Sequence, residues 1–118
     1  MAKHIDTGKK GERMAIAWLN ERAYSILEQN WRYGRWEVDV IAEKEMVLHF
    51  IEIKTRRTKL FGLPEQSVGK NKMNHLINAA EQYLYQNPQW QRIQFNILSI
   101  LILQGQPAEY FLIEDVFL

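Results

Sequence analysis

The sequence predicts an α/β fold, a mixed β-sheet with helices packed on it. Three observations carry that expectation. Apolar residues recur at helical spacing in some segments and at strand spacing, or as continuous runs, in others. These segments follow one another as helix, three strands, helix, two strands, and the first three strands lie close enough to form an antiparallel meander. The fourth strand, from Ile93 to Leu103, is mostly apolar, as suits a strand near the centre of a sheet covered on both faces.

The elements are justified in order. Thr7 or Asp6 can cap a first helix running to about Arg22, with Met14, Ala15, Ala17 and Trp18 as its inward stripe and Glu12 in its first turns. Tyr24 to Trp31 reads as a short strand, Tyr33-Gly34-Arg35 as a turn, and Glu37 to Ala42 as a second strand with β-branched content. Polar Glu43-Lys44-Glu45 interrupts the pattern before a third strand, Met46 to Lys54. In the loop from Leu60 to Pro64, Gly62 and Pro64 precede a long helix from about Glu65 to Tyr85, buried through Met73, Leu76, Ile77, Ala80 and Leu84. Asn87-Pro88 stops it. After the apolar fourth strand, Gln104-Gly105-Gln106-Pro107 turns the chain into a last strand, Glu109 to Ile113. With no repeat, low-complexity tract or linker, the 118 residues are expected to form a single domain, 1–118.

Composition narrows the chemistry. The chain has no cysteine, which excludes disulfides, thiolate zinc sites and thiol nucleophiles, so metal ligands must be carboxylates or histidines. His4, His49 and His75 are scattered and match no helix-borne zinc motif. There is no apolar signal segment, and the longest apolar run, Ile97 to Leu103, is far short of a membrane span; a cytoplasmic location is expected. Net charge is only +1, but basic residues cluster: Lys9, Lys10 and Arg13, then Lys54, Arg56, Arg57 and Lys59, then Lys70 and Lys72.

The informative segment is Trp36-Glu37-Val38-Asp39-Val40-Ile41-Ala42, followed after a polar turn by His49-Phe50-Ile51-Glu52-Ile53-Lys54-Thr55-Arg56. It places charges inside apolar strands. Alternation puts Glu52 and Lys54 on one face and His49, Ile51 and Ile53 on the other. A two-residue turn at Lys44-Glu45 would set Asp39 opposite Phe50 and diagonal to Glu52, with Cβ atoms roughly 7–8 Å apart. Two carboxylates so placed repel, and burying them costs several kcal/mol per ion unless a counter-charge or metal compensates. Magnesium commonly takes one or two carboxylates and completes its octahedron with waters and a phosphate, so Asp39 and Glu52 supply the minimum for phosphodiester hydrolysis. A lone Glu-x-Lys is more simply a solvated ion pair; the apolar flanks and short antiparallel separation argue for a site.

At these residues the chain resembles UPF0102, the YraN-like bacterial family. The resemblance runs through Gly11-Glu12, Ala15, Trp18-Leu19, Tyr24 to Arg32, Glu37 to Ala42, Phe50 to Arg56, Phe61-Gly62, Val68, Lys72, Leu76, Ala79 and Tyr83-Leu84. Trp36 stands where the family pattern leads one to expect glycine, and Asn96 where it leads one to expect aspartate. This family resembles the restriction-endonuclease-like superfamily of PD-(D/E)xK nucleases, which includes Holliday-junction resolvases. The resemblance implies a restriction-endonuclease-like mixed β-sheet flanked by helices, with Asp39, Glu52 and Lys54 as the active-site triad and Glu12 as an additional acid.

The expected function is a metal-dependent endonuclease acting on nucleic acid, DNA ahead of RNA, with structured or branched DNA as a plausible substrate. Asp39 and Glu52, assisted by Glu12, would bind Mg2+ or Mn2+; Lys54 would support the attacking hydroxide; Arg56, Arg57, Lys59 and Lys72 would contact phosphates. The alternative is a non-catalytic nucleic-acid-binding or protein-interaction module that retains the fold. A homodimer is expected, as in resolvase-like relatives. Gln66 could approach a metal-bound water or phosphate, although an ordinary polar helix position is the simpler reading. Trp31, Trp36 and Trp90 could stack on unpaired bases, although tryptophan beside strands more often packs or anchors an interface.

Overall fold

The computed structural model describes residues 2–57 and 70–116, without the side chains of 2–7 and 70. In chain order the elements are α1 (Ala2–Glu21), β1 (Ser25–Tyr33), β2 (Trp36–Lys44), β3 (Val47–Arg56), α2 (Lys70–Gln86), β4 (Ile93–Leu101) and β5 (Glu109–Ile113). The strands form one sheet in the order β1-β2-β3-β4-β5. Only β3 and β4 pair in parallel, across the connection that contains α2; the other three pairs are antiparallel. This is the expected α/β architecture, a mixed sheet flanked by helices and consistent with the restriction-endonuclease-like arrangement. No helix among the described residues is long and apolar enough to cross a membrane.

The two helices bury different faces of the sheet. Alternation along β3 sends Ile51 and Ile53 to one side, where they join Ala15 and Leu19 of α1 with Val40, Ala42, Leu98 and Ile100. Leu48 and Phe50 go to the other side and join Leu76, Ala79, Ala80 and Tyr83 of α2 with Val38 and Ile41. On this second side, aromatic contacts fix the helix: Tyr83 meets Trp31 edge-on at 5.2 Å and Phe50 at 6.0 Å. Asn87 closes α2 with its own side chain, whose Nδ2 donates to the Tyr83 carbonyl at 2.9 Å.

Several boundaries and faces differ from expectation, for local reasons. Asp6 and Thr7 lie inside α1, which begins at Ala2, because Lys3, His4 and Ile5 ahead of them contain no helix breaker. The buried stripe of α1 is Gly11, Ala15 and Leu19, four apart, and Ala17 is exposed. In α2 the most buried residues include Ala79 and Tyr83, because two small alanines let the helix approach while the tyrosine ring fills the space beside them; Met73, Ile77 and Leu84 are half-buried. The expected start near Glu65 lies outside the described residues. The fourth strand ends at Leu101, short of Leu103.

The consequential difference is in the β2–β3 hairpin. Lys44 pairs with Val47, so the turn is Glu45-Met46, not Lys44-Glu45. Both turn residues adopt left-handed φ, 53° and 68°, as the favoured two-residue hairpin turns require, and the Glu43 carboxylate accepts the Met46 N–H at 2.9 Å. The register moves accordingly. Ile41, not Asp39, faces Phe50, and Val40 faces Ile51 in the last pair. Continued by one residue, that register brings Asp39 level with Glu52, closer than the expected diagonal.

Candidate active site

The candidate site lies where β2 and β3 part company. Val38 and Val40, two apart and due on one face, lie in opposite clusters, so the strand's alternation breaks at Asp39 between them. Across the hairpin, Gln29 pairs with Val40 and Trp31 with Val38, which leaves Asn30 level with Asp39; Asn30 has a left-handed φ of 51°. The two strands are therefore kinked together, as a bulge re-aims a side chain beside a functional site. The Asp39 carboxylate turns toward β3 and accepts the Ile53 N–H at 2.8 Å, just past the last β2–β3 pair.

Glu52 lies next to it on β3 and is only 4 % exposed. Burial, followed by the negative charge of Asp39, pushes its carboxyl up to about 7, with Lys72 and Lys54 opposing. Burial also raises Asp39, against the Ile53 hydrogen bond and Lys72, while Glu37 and Glu12 push it further up. The Asp39 charge thus holds Glu52 back from ionisation. Lys72 reaches in from α2, its Nζ 3.4 Å from a Glu52 carboxylate oxygen.

The remaining expected residues fall into three groups. Lys54 shares the face of Glu52 by alternation, is half-buried and acts on Glu52 electrostatically; Arg56, half-buried, continues that face, and Arg57 is exposed. Ser99, registered against Lys54 on β4, adds a buried hydroxyl-bearing residue. Glu12 is half-buried on α1 and enters as a charge felt by Asp39. Among the described residues, no group of three or more His, Asp or Glu converges as a metal cage. Lys59 and Gln66 lie outside the described residues.

The departures from the family pattern have structural accounts. Asn96 is fully buried and pairs in register with Ile51, on the opposite face from Glu52. Its Nδ2 donates to His49 Nδ1 at 2.9 Å and its Oδ1 accepts the Asp115 N–H at 3.2 Å, so an acid there would not join the Asp39–Glu52 pair. His49 faces away from Glu52 as expected, and burial lowers its pKa toward the neutral imidazole. Trp36 closes the β1–β2 hairpin opposite Tyr33.

Sequence reasoning missed two positioning devices. One is the paired kink at Asn30 and Asp39; an exposed asparagine inside a strand was its only signal, asparagine being tolerant of left-handed φ. The other is Gly11: a Cβ there would collide with the Thr55 hydroxyl, so glycine lets α1 press onto β3 and brings Glu12 toward the site. A glycine inside a helical pattern was a legible hint.

The comparisons agree with this arrangement of motifs. A model of the uncharacterised protein family UPF0102 matches residues 11–100, from Gly11 through β4. The UPF0102 protein of Flavobacterium psychrophilum is 39 % identical, over 85 % of this chain and 84 % of its own length. That of Chloroherpeton thalassium is 36 % identical over 99 % of this chain and 97 % of its own. That of Dictyoglomus thermophilum is 41 % identical over 82 % and 83 %. With β2, β3, α2 and the second half of α1 within the match, the chain belongs to the UPF0102 family.

Proposed function

We propose that the protein is a metal-dependent nuclease that hydrolyses phosphodiester bonds in nucleic acid, with Asp39 and Glu52 as ligands of a Mg2+ or Mn2+ ion. One observation carries the reading: on adjacent strands a half-buried Asp39, its carboxylate turned toward β3, stands beside buried Glu52, whose carboxyl is pushed up to about 7 by burial and by the Asp39 charge. Such an arrangement costs stability, and perturbed acids of this kind gather at functional sites. The donor set fits a hard divalent cation, which takes one or two carboxylates and keeps waters elsewhere in its shell. When bound, the ion would polarise a phosphate oxygen and acidify a water.

The chain's own residues then have separable tasks. Lys54, on the face of Glu52, orients the attacking water and offsets the charge that builds on the phosphate. Glu12 assists as a further ligand or through a water. Arg56 and Arg57, together with Lys59, hold the backbone of the strand, so binding depends on salt and shape more than on base sequence. DNA is the expected substrate ahead of RNA, and a homodimer would let two such sites meet both strands.

A second reading rests on Lys72. Its contact with Glu52 gives that carboxylate a protein counter-charge, as would suit a non-catalytic nucleic-acid-binding or protein-interaction module. One experiment separates the two. Duplex, single-stranded and branched DNA and RNA are incubated with the parent, Asp39→Asn and Glu52→Gln proteins in Mn2+, Mg2+ or a chelator. The nuclease reading expects cleavage that needs metal and both carboxylates; binding without cleavage in every protein would favour the module.

A further inference from the structure

The β1–β2 hairpin outlasts the sheet to which it belongs. Pairing of β2 with β3 ends at Val40 and Ile51, whereas pairing with β1 continues through Val38, Glu37 and Trp36. The end of the hairpin is thus a two-stranded arm, leaving the sheet at the same end as Asp39 and Glu52. Its base is anchored on the α2 side, the face of Glu52, by fully buried Val38 and by Trp31 and Trp36 packed against that cluster. Its tip is open: Tyr33 is 45 % exposed, and Arg35 in the turn is exposed.

The tip carries both parts of a single-strand platform. The Tyr33 and Trp36 rings lie stacked, 6.3 Å apart at 25°, with Tyr33 nearly half exposed. Cationic residues lie on the same arm and on β3. Arg32, 69 % exposed, is held along the arm by Glu37 at 2.7 Å, Arg35 occupies the turn, and Lys54, Arg56 and Arg57 continue from β3. Aromatic faces take bases of any identity and cations take the phosphates between them. Trp36 is three residues from Asp39, about 10 Å along an extended strand.

We propose that this arm stacks an unpaired base on Tyr33, backed by Trp36, so that the preferred nucleic acid has a splayed or single-stranded segment beside the phosphate presented to Asp39 and Glu52. The inference rests on the nucleic-acid part of the proposed function and not on cleavage. A fully paired duplex keeps its base faces covered and offers the ring nothing to stack on.

Fluorescence anisotropy in EDTA tests it without turnover, using labelled fully paired and Y-shaped splayed probes of equal length, in DNA and in RNA. The parent should bind a splayed probe roughly ten-fold tighter than its paired counterpart, from one stacked base. Tyr33→Leu, which keeps apolar bulk in the hairpin, should lose that margin while retaining duplex binding; Tyr33→Trp should keep it. Equal affinity of the parent for paired and splayed probes in both nucleic acids overturns the inference, as does an undiminished margin in folded Tyr33→Leu. A Tyr33-dependent margin with no metal-dependent cleavage of any probe would sink the nuclease reading and leave this one standing.

Discussion

At Glu52 the pH dependence of stability runs opposite to that of a salt-bridged acid. Its folded pKa of about 7 lies above the ordinary carboxyl value of 4.5, so between those values the folded state binds more protons than the unfolded one. Stability is therefore highest at or below the lower value, falls as pH rises through the window, and reaches its full penalty above 7, about 3 kcal/mol for the full shift. Thermal melts between pH 4.5 and 8 should show this decline in the parent and a much flatter profile in Glu52→Gln; equal slopes would remove the electrostatic argument for the site. Lys72→Met should extend the decline to higher pH, because it deletes a cation that now opposes the shift. Gly11→Ala should cost about 1–3 kcal/mol through overpacking, and much of that should return when Thr55→Ala is added.

Among the elements, the β2–β3 hairpin decides where the acids meet. Its turn puts Glu45 and Met46 at left-handed φ, a conformation that non-glycine residues adopt at a cost. Replacing them together, Glu45→Asn with Met46→Gly, should stabilise the protein by up to about 1 kcal/mol and leave metal binding unchanged, as chemical denaturation and calorimetry would read. The turn also shows where sequence reasoning stopped. Strand identity and the face of Glu52 and Lys54 follow from alternation, which needs only the residues themselves. Register depends on which two residues turn, and Glu43-Lys44-Glu45-Met46 contains no Asn-Gly or other marker to choose between neighbouring turns. The kink at Asp39 was hidden for a related reason, because it arises from two strands bending together at Asn30 and Asp39.

For the whole molecule, a mixed sheet with helices packed on it and an antiparallel meander at its start was legible because two amphipathic helices and an apolar fourth strand permit few α/β layouts; the strand order and the division of the core between α1 and α2 depend on long-range packing that no local pattern encodes. The acids Asp39 and Glu52 were legible as charges within apolar strands, and the structure brings them together. Lys72 was legible only as a phosphate contact; its pairing with Glu52 depends on how α2 packs over β3, which no local pattern encodes. The molecule thus carries an unfavourable acidic pair held between cationic side chains, and a divalent ion would convert that penalty into binding. Metal affinity should accordingly rise with pH as the carboxylates give up their protons, opposite in sign to the stability of the metal-free protein. Calorimetric titration with Mn2+, comparing the parent with folded Asp39→Asn and Glu52→Gln proteins, tests this most directly. The parent should bind and both variants should not; no binding by the parent, even with nucleic acid present, or equal binding by all three, would rule out a metal site at Asp39 and Glu52.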